Sequence, residues 1–558
     1  MKDKIIQFKR STESVYLSAD KKCDEGDYIG ALSSLIFESL KNAENADVCA
    51  HIADIYTELE LYENAICFWF KYLLRAKKKF YCDGFNGLGA NYYFTGDKDL
   101  AGYYFGEQIK NDNGEPSVYE EVLETFRDEI LSEKPNIRLV KDATREEIDS
   151  EILEKAKDYN KSGAYEKAID LLNSIMEDSP IYGESLSEIA FSYFCLNKID
   201  ESVKYVQKSI RSGFVSVNSL TFAIHLYIST ETEGAEDLLE LLVNLQVETL
   251  EDKYKKLVAL CEFYLYEDAN DLADEILFDS PYDVNTNFIK AFLSYNNGDY
   301  STAEQYFKKA YILSCNSIAL FYLKLSERAV SGDVKYSNLK ISFDLPTDEI
   351  ENINQIIKDI LESKTKVTDY SSQRMIEIAE WCFTCGSHSS QIAISVIFAK
   401  SENEQYKKYL NEQLVSPSVS DEVKLRIVSL LCEYSDFKQI KVVYGQIFKE
   451  IKVIRPEFQE EKELIFKKAY SFAFGRLSAF ETKRLHLLEL GAIELQKELV
   501  SCKNIDKVSD IPTLACAMYF YSGMNTFKDS SVTYKLFDVK KSEVVKIIKL
   551  TENKTDDN

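Results

Sequence analysis

The sequence predicts an all-α protein: an α-solenoid of stacked helical hairpins, followed by an α-helical C-terminal domain. Three observations lead there. A short kernel, a turn running into a helix that begins near an Ala, returns at steps close to 34 residues. A small residue and then a Tyr precede that kernel at fixed distances. Gly and Pro number only 20 and 8 in 558 residues, well under the usual roughly 7% and 5%, which suits long helices on short loops and not a turn-rich β fold.

Taken in order, the kernels are "GDYIGA" ending at Ala31, "LELYENA" at Ala65, "GDKDLA" at Ala101, "GAYEKA" at Ala168, "NKIDES" at Ser202 and "GDYSTA" at Ala303. Weaker versions end at Ala235 ("TETEGA") and Ala273 ("EDANDLA"). The steps are 34, 36, 34 and 33 residues, and the last two, 38 and 30, together make two periods of 34. Twelve residues before the anchors stand Ala19, Ala53, Gly89, Ala156, Ala190, Ala223, Ala291 and, in the weak seventh unit, Cys261. Nine before them stand Tyr56, Tyr92, Tyr159, Tyr193 and Tyr264. Each unit is therefore an αα-hairpin whose small residues let two backbones approach while an aromatic fills the space alongside. Gly96, Gly163 and Gly298 fall where the first helix must end in a left-handed residue.

These residues resemble the tetratricopeptide repeat family over about residues 12–330. The third unit carries Leu88, Gly89, Tyr92, Gly96, Ala101 and Phe105; the fourth Ala156, Tyr159, Gly163, Tyr165, Ala168 and Pro180; the eighth Ala291, Gly298, Tyr300, Ala303, Phe307 and Ala310. The resemblance implies a binding scaffold whose first helices line an inner face at repeat positions 2, 5, 9, 12 and 13. Carried over, those positions include Asn86, Tyr93, Phe94, Phe191, Phe194, Tyr227, Phe292 and Tyr295. Aromatics there suit an extended peptide or a partner helix. The Lys/Asn pattern of relatives that clamp a terminal carboxylate is absent: Tyr16, Asp20, Ala50 and Asp54 stand in those places.

The array reads as interrupted, with repeats and a capping helix (about Ser117 to Leu131) in 1–131, a charged linker over 132–147, a second array over 148–332 and a helical domain over 333–558. In that last part Pro346, Asp348 and Glu349 mark a helix start, and Val423, Ile427, Leu430 and Leu431 show helical spacing. "QIKVVYGQIFKEIKVI" is β-branched and is open to a short β-hairpin as well as a helix.

Composition narrows function. The net charge of -26 disfavours phosphate backbones and anionic membranes as partners and keeps a large surface soluble. The opening residues contain no apolar leader, no run is long enough to span a bilayer, and the 12 Cys lie mostly in apolar helical runs, which implies a reducing, cytoplasmic setting. Four His, no nucleotide-binding glycine pattern and no H-E-x-x-H argue against an enzyme and leave no cofactor to expect. Cys382, Cys385 and His388 in "CFTCGSH" have half a zinc site's spacing, but no second C-x-x-C completes it, so two packed thiols at a helix end are expected. His51, His225 and His486 read as structural imidazoles.

One alternative remains at the chain end. "TYKLFDVKKSEVVKIIK" resembles the turn and second helix of helix-turn-helix proteins, with Val539 and Val544 at core spacing and Lys540, Lys541, Lys546 and Lys549 outside. Asp538 replaces the usual turn Gly, and the preceding helix lacks the usual small residue. That resemblance implies a regulatory sensor that contacts DNA.

Overall fold

The computed structural model describes residues 12–111 and 145–551. Its elements are 27 α-helices and one two-stranded sheet among the described residues, a helical repeat solenoid with almost no β-structure. No described helix is long and apolar enough to cross a membrane. The chain forms two compact units: the first holds 12–111, 311–322 and 342–551, the second 145–310 and 323–341. The expected capping helix lies outside the described residues, as does most of the expected linker; residues 145–147 open the helix Arg145–Lys161.

Eight hairpins follow the kernels. They pair Thr12–Asp24 with Tyr28–Lys41, Ala46–Glu58 with Tyr62–Arg75, and Tyr81–Phe94 with Lys98–Asn111. Next come Arg145–Lys161 with Tyr165–Leu172, Tyr182–Cys195 with Ile199–Arg211, and Val217–Ser229 with Ala235–Asn244. The last two pair Leu250–Glu262 with Tyr266–Asp279 and Val284–Asn296 with Tyr300–Ser314. The "GD" dipeptides explain the tight corners. In the third hairpin Gly96 takes φ +84°, its N–H donates to Tyr93 O, and Asp97 N–H donates to Tyr92 O, closing the first helix. Asp97 Oδ1 then accepts from Leu100 N at 3.0 Å and caps the second. Asp27 and Asp299 repeat that cap on Gly30 N and Thr302 N.

The small anchors are the seams. Ala31, Ala53, Ala65, Ala101, Ala156, Ala168, Ala190, Ser202, Ala291 and Ala303 are completely buried. In the fifth hairpin Ser202 Oγ donates to Ala190 O at 2.8 Å, so the two seam positions touch. Gly87 shows why bulk is excluded: a Cβ there would lie 2.0 Å from Trp69 Cε2 of the second hairpin. At Gly89 a Cβ would lie 2.7 Å from the Phe105 ring.

The seventh unit needs a correction of register. Tyr264, at φ +62°, is its left-handed corner residue and lies outside the first helix. Ala269 follows it by five residues, as Ala303 follows Gly298, so Ala269 and not Ala273 is the anchor. The irregular steps of 38 and 30 become 34 and 34.

In the first unit, the C-terminal part expected to be all-helical contains an antiparallel β-hairpin, β1 (Gln439–Tyr444) and β2 (Ile447–Lys452), at the stretch whose sequence is open to either form. Gly445 and Gln446 both take positive φ, the backbone a two-residue turn requires. This hairpin covers the third helical hairpin: Val443 and Phe448 join its apolar core, Tyr81 bonds Glu450, Tyr104 bonds Gln446 O, and Tyr92 donates to Gln446 Oε1 at 3.0 Å. Lys441 Nζ donates to Leu73 O, Leu74 O and Ala76 O, each at 2.9 Å, satisfying carbonyls at the end of helix Tyr62–Arg75. The β-hairpin thus shields apolar surface of the third helical hairpin.

In the second unit, the chain beyond the eighth hairpin returns across it. Asn296 Nδ2 donates to Leu339 O at 2.8 Å, and Leu339 N–H donates to Asn296 Oδ1 at 2.7 Å. Leu339 is buried and Ile341 packs on the unit's core.

Candidate interaction surface

The eight residues singled out from the sequence separate into exposed and buried sets. Asn86, Tyr93, Phe94, Phe191 and Phe194 are exposed. Tyr227, Phe292 and Tyr295 are buried, which corrects the expectation that they line an open wall. Phe292 lies edge-on to Phe288 and Phe307, with centroids 5.0 and 5.2 Å away. Tyr295 packs on Tyr300 and donates its hydroxyl to Tyr336 O at 3.0 Å, because the returning segment occupies that side. Tyr227 belongs to the stripe Val217, Leu220, Ile224, Tyr227, whose three- and four-residue spacing marks the core side of its helix.

In the first unit Phe37, Phe80, Tyr93, Phe94, Tyr103, Phe343 and Phe480 are exposed. Phe94 stacks on Tyr62 at 5.1 Å and meets Tyr93 at 6.0 Å, while Asn86 stands exposed without joining them through a ring contact.

The second unit has a larger arrangement. Glu184, Glu188, Phe191 and Phe194 follow one another at intervals of four, three and three residues on the helix Tyr182–Cys195, so they share a face. Phe191 and Phe194 are 40% and 42% exposed and meet edge-on at one ring, Phe222, with centroids 5.8 and 5.6 Å away. Phe222 was not singled out from the sequence; its place one turn before His225, opposite the Val217–Tyr227 stripe, was the available signal. His225 packs against Phe263 at 4.8 Å and brings Nε2 within 3.1 Å of Glu262 Oε1. At the other end, Asn160 Nδ2 donates to Glu188 Oε2 at 3.0 Å, and Lys157 Nζ binds both Glu154 and Glu184. Burial raises the Glu188 carboxyl, against the opposing pull of the Asn160 bond and the Lys157 charge. The result is an aromatic strip crossing the first helices of three consecutive hairpins, with carboxylates at both ends.

The other sequence candidates sit apart. Cys382 is buried and Cys385 exposed at the end of helix Ser372–Thr384; burial pushes their thiols up to about 12 and about 11, leaving them protonated and poorly nucleophilic. No group of three or more metal-ligating side chains occurs among the described residues. His51 stacks on Tyr16 at 4.3 Å. A cleft of about 740 Å³ lies among the C-terminal helices, with Lys507, Asp510, Asp538, Glu543 and Lys546 in its lining.

No family model matches the chain, and no curated protein does. Solved structures similar to it include the TPR2AB domain of yeast Sti1 in complex with pHSP90, at 15% identity and TM-score 0.21, covering 48% of this chain and 98% of that one. The TPR domain of P58(IPK) matches at 16% identity and TM-score 0.19, over 58% and 99% of the two chains. Yeast Tom70 matches at 12% identity and TM-score 0.20, over 97% and 94%.

Proposed function

We propose that this protein is a non-catalytic scaffold that binds another protein through the aromatic strip of its second unit. The carrying observation is the exposure of Phe191 and Phe194 around the shared ring of Phe222. Exposed, mutually packed aromatics are rigid and offer much apolar area at little entropic cost, the property of binding hot spots. The stacked hairpins draw their stability from buried seams, so this face can change without endangering the fold. Affinity capture from the native host, with wild type beside Phe191→Ala/Phe194→Ala, tests the reading. Partners recovered by wild type and lost from a variant with unchanged melting support it; identical recoveries count against it.

A second reading, DNA contact at the chain end, is favoured by one local geometry. Helices Ser530–Phe537 and Lys541–Lys549 meet through Asp538 at φ +53°, over buried Thr533, Phe537 and Val544. Lys540, Lys541, Lys546 and Lys549 are exposed, and none forms an ion pair with a described residue. Salt-sensitive retention of duplex DNA, weakened by Lys541→Ala/Lys546→Ala, is its expected signature.

A further inference from the structure

The strip's surroundings say what chemistry a ligand must bring. Residues 145–310 contain 32 Asp and Glu against 15 Lys and Arg, so the field over this unit is strongly negative. Two lysines flanking the strip are already engaged: Lys157, on the helix Arg145–Lys161, by Glu154 and Glu184, and Lys255, on the helix that ends at Glu262, by Glu251 and Asp252. At one end Glu188 lies one turn from Phe191 with only a neutral amide bonded to its carboxylate. At the other, Glu262 is exposed, and its partner there is the imidazole Nε2 of His225 at 3.1 Å. Between the carboxylates stand the exposed rings of Phe191 and Phe194; aromatic rings attract cations as well as apolar groups.

Resting on the scaffold reading above, we infer that the strip binds a protein segment with Lys or Arg on both sides of a bulky apolar residue. The apolar residue seats against Phe191, Phe194 and Phe222, and the flanking cations reach Glu188 and Glu262. An acidic segment meets like charge at both ends and within the wider field, so discrimination comes from repulsion as well as attraction. Glu188 gains most: its partly buried carboxylate bonds only an amide, and the Lys157 charge near it is shared with Glu154 and Glu184.

The test uses the full chain and two fluorescein-labelled peptides of equal length. One has a Phe and a Leu between two Lys pairs; the other has Glu in place of each Lys. Fluorescence anisotropy should show the basic peptide binding at least tenfold more tightly at low salt, with affinity falling as salt rises. Phe194→Ala should lower that affinity about tenfold. Glu188→Gln, which keeps an acceptor for Asn160, should lower it severalfold and flatten the salt dependence, with melting unchanged in both variants. Failure of the basic peptide to bind, equal binding of both peptides, or indifference to Phe194→Ala overturns the inference. Host capture separates the two claims: a partner lost on Phe191→Ala/Phe194→Ala but retained at high salt and by Glu188→Gln preserves the scaffold and removes the basic ligand.

Discussion

Substituting Gly87 by Ala places one methyl group into the tightest seam of the first unit. Its Cβ would stand 2.0, 2.4 and 2.5 Å from Cε2, Cδ2 and Nε1 of Trp69, whereas carbon atoms in contact prefer about 3.5–4.0 Å. Trp69 is itself buried, so the indole or the helix Tyr81–Phe94 must shift by about 1.5 Å. Overpacking of this kind costs about 1–3 kcal/mol, from which the better helix propensity of Ala returns up to about 1 kcal/mol. With the full return counted, a net loss of up to about 2 kcal/mol follows. Gly106→Ala is the matched control: that glycine also sits within a helix, and nothing lies within 4 Å of an added Cβ. It should gain about 0.5–1 kcal/mol. Urea unfolding followed by tryptophan fluorescence reads both, because Trp69 reports on the perturbed seam. Should Gly87→Ala prove as stable as Gly106→Ala, the seam explanation of the repeat's small residues would fail.

Other expected outcomes follow from single contacts. Lys441→Met removes three charge-assisted bonds that hold the β-hairpin to helix Tyr62–Arg75, and should lower stability by about 2–3 kcal/mol in the same urea assay. Burial lowers Lys424 to about 8 although its Nζ donates to Val443 O at 2.8 Å. Between that value and the ordinary value near 10.4, the unfolded chain holds a proton that the folded protein has released, so this group adds stability as pH rises from about 8 to 10. Wild type should therefore gain on Lys424→Met across that window, measured as the difference in urea midpoints; a constant difference would contradict the assignment. Asn296→Ala frees the backbone of Leu339, and trypsin should then cut at Lys335 or Lys340 about tenfold faster than in wild type.

The sequence was most informative where the backbone itself demands a residue type. Seams need small side chains and corners need a left-handed residue, so Ala31, Gly96 and Ala101 could be located from letters alone. The seventh unit misled because Tyr264 and Ala273 imitate the helix Tyr and the anchor; only the corner's positive φ shows that Tyr264 has already left the helix. Inner-face assignments were weaker, because position within a repeat does not reveal what else covers it. Phe292 and Tyr295 are repeat-like residues buried beside neighbouring rings and a returning segment that lacks repeat character. Nothing in the letters around Asn296 shows that its amide binds a backbone 43 positions away. The β-branched residues around Gly445 left a β-hairpin open, but nothing in them showed that it would pack on the third helical hairpin.

The scaffold reading meets its most direct test in site-specific photocrosslinking. Benzoylphenylalanine replaces Phe194 in one preparation and Phe278, an 88% exposed aromatic on a second helix, in another. Adducts to a defined host protein at position 194, absent at 278 and competed by the unlabelled wild-type chain, are the predicted result. Equal, non-competed adducts at both positions would contradict a binding role for the aromatic strip.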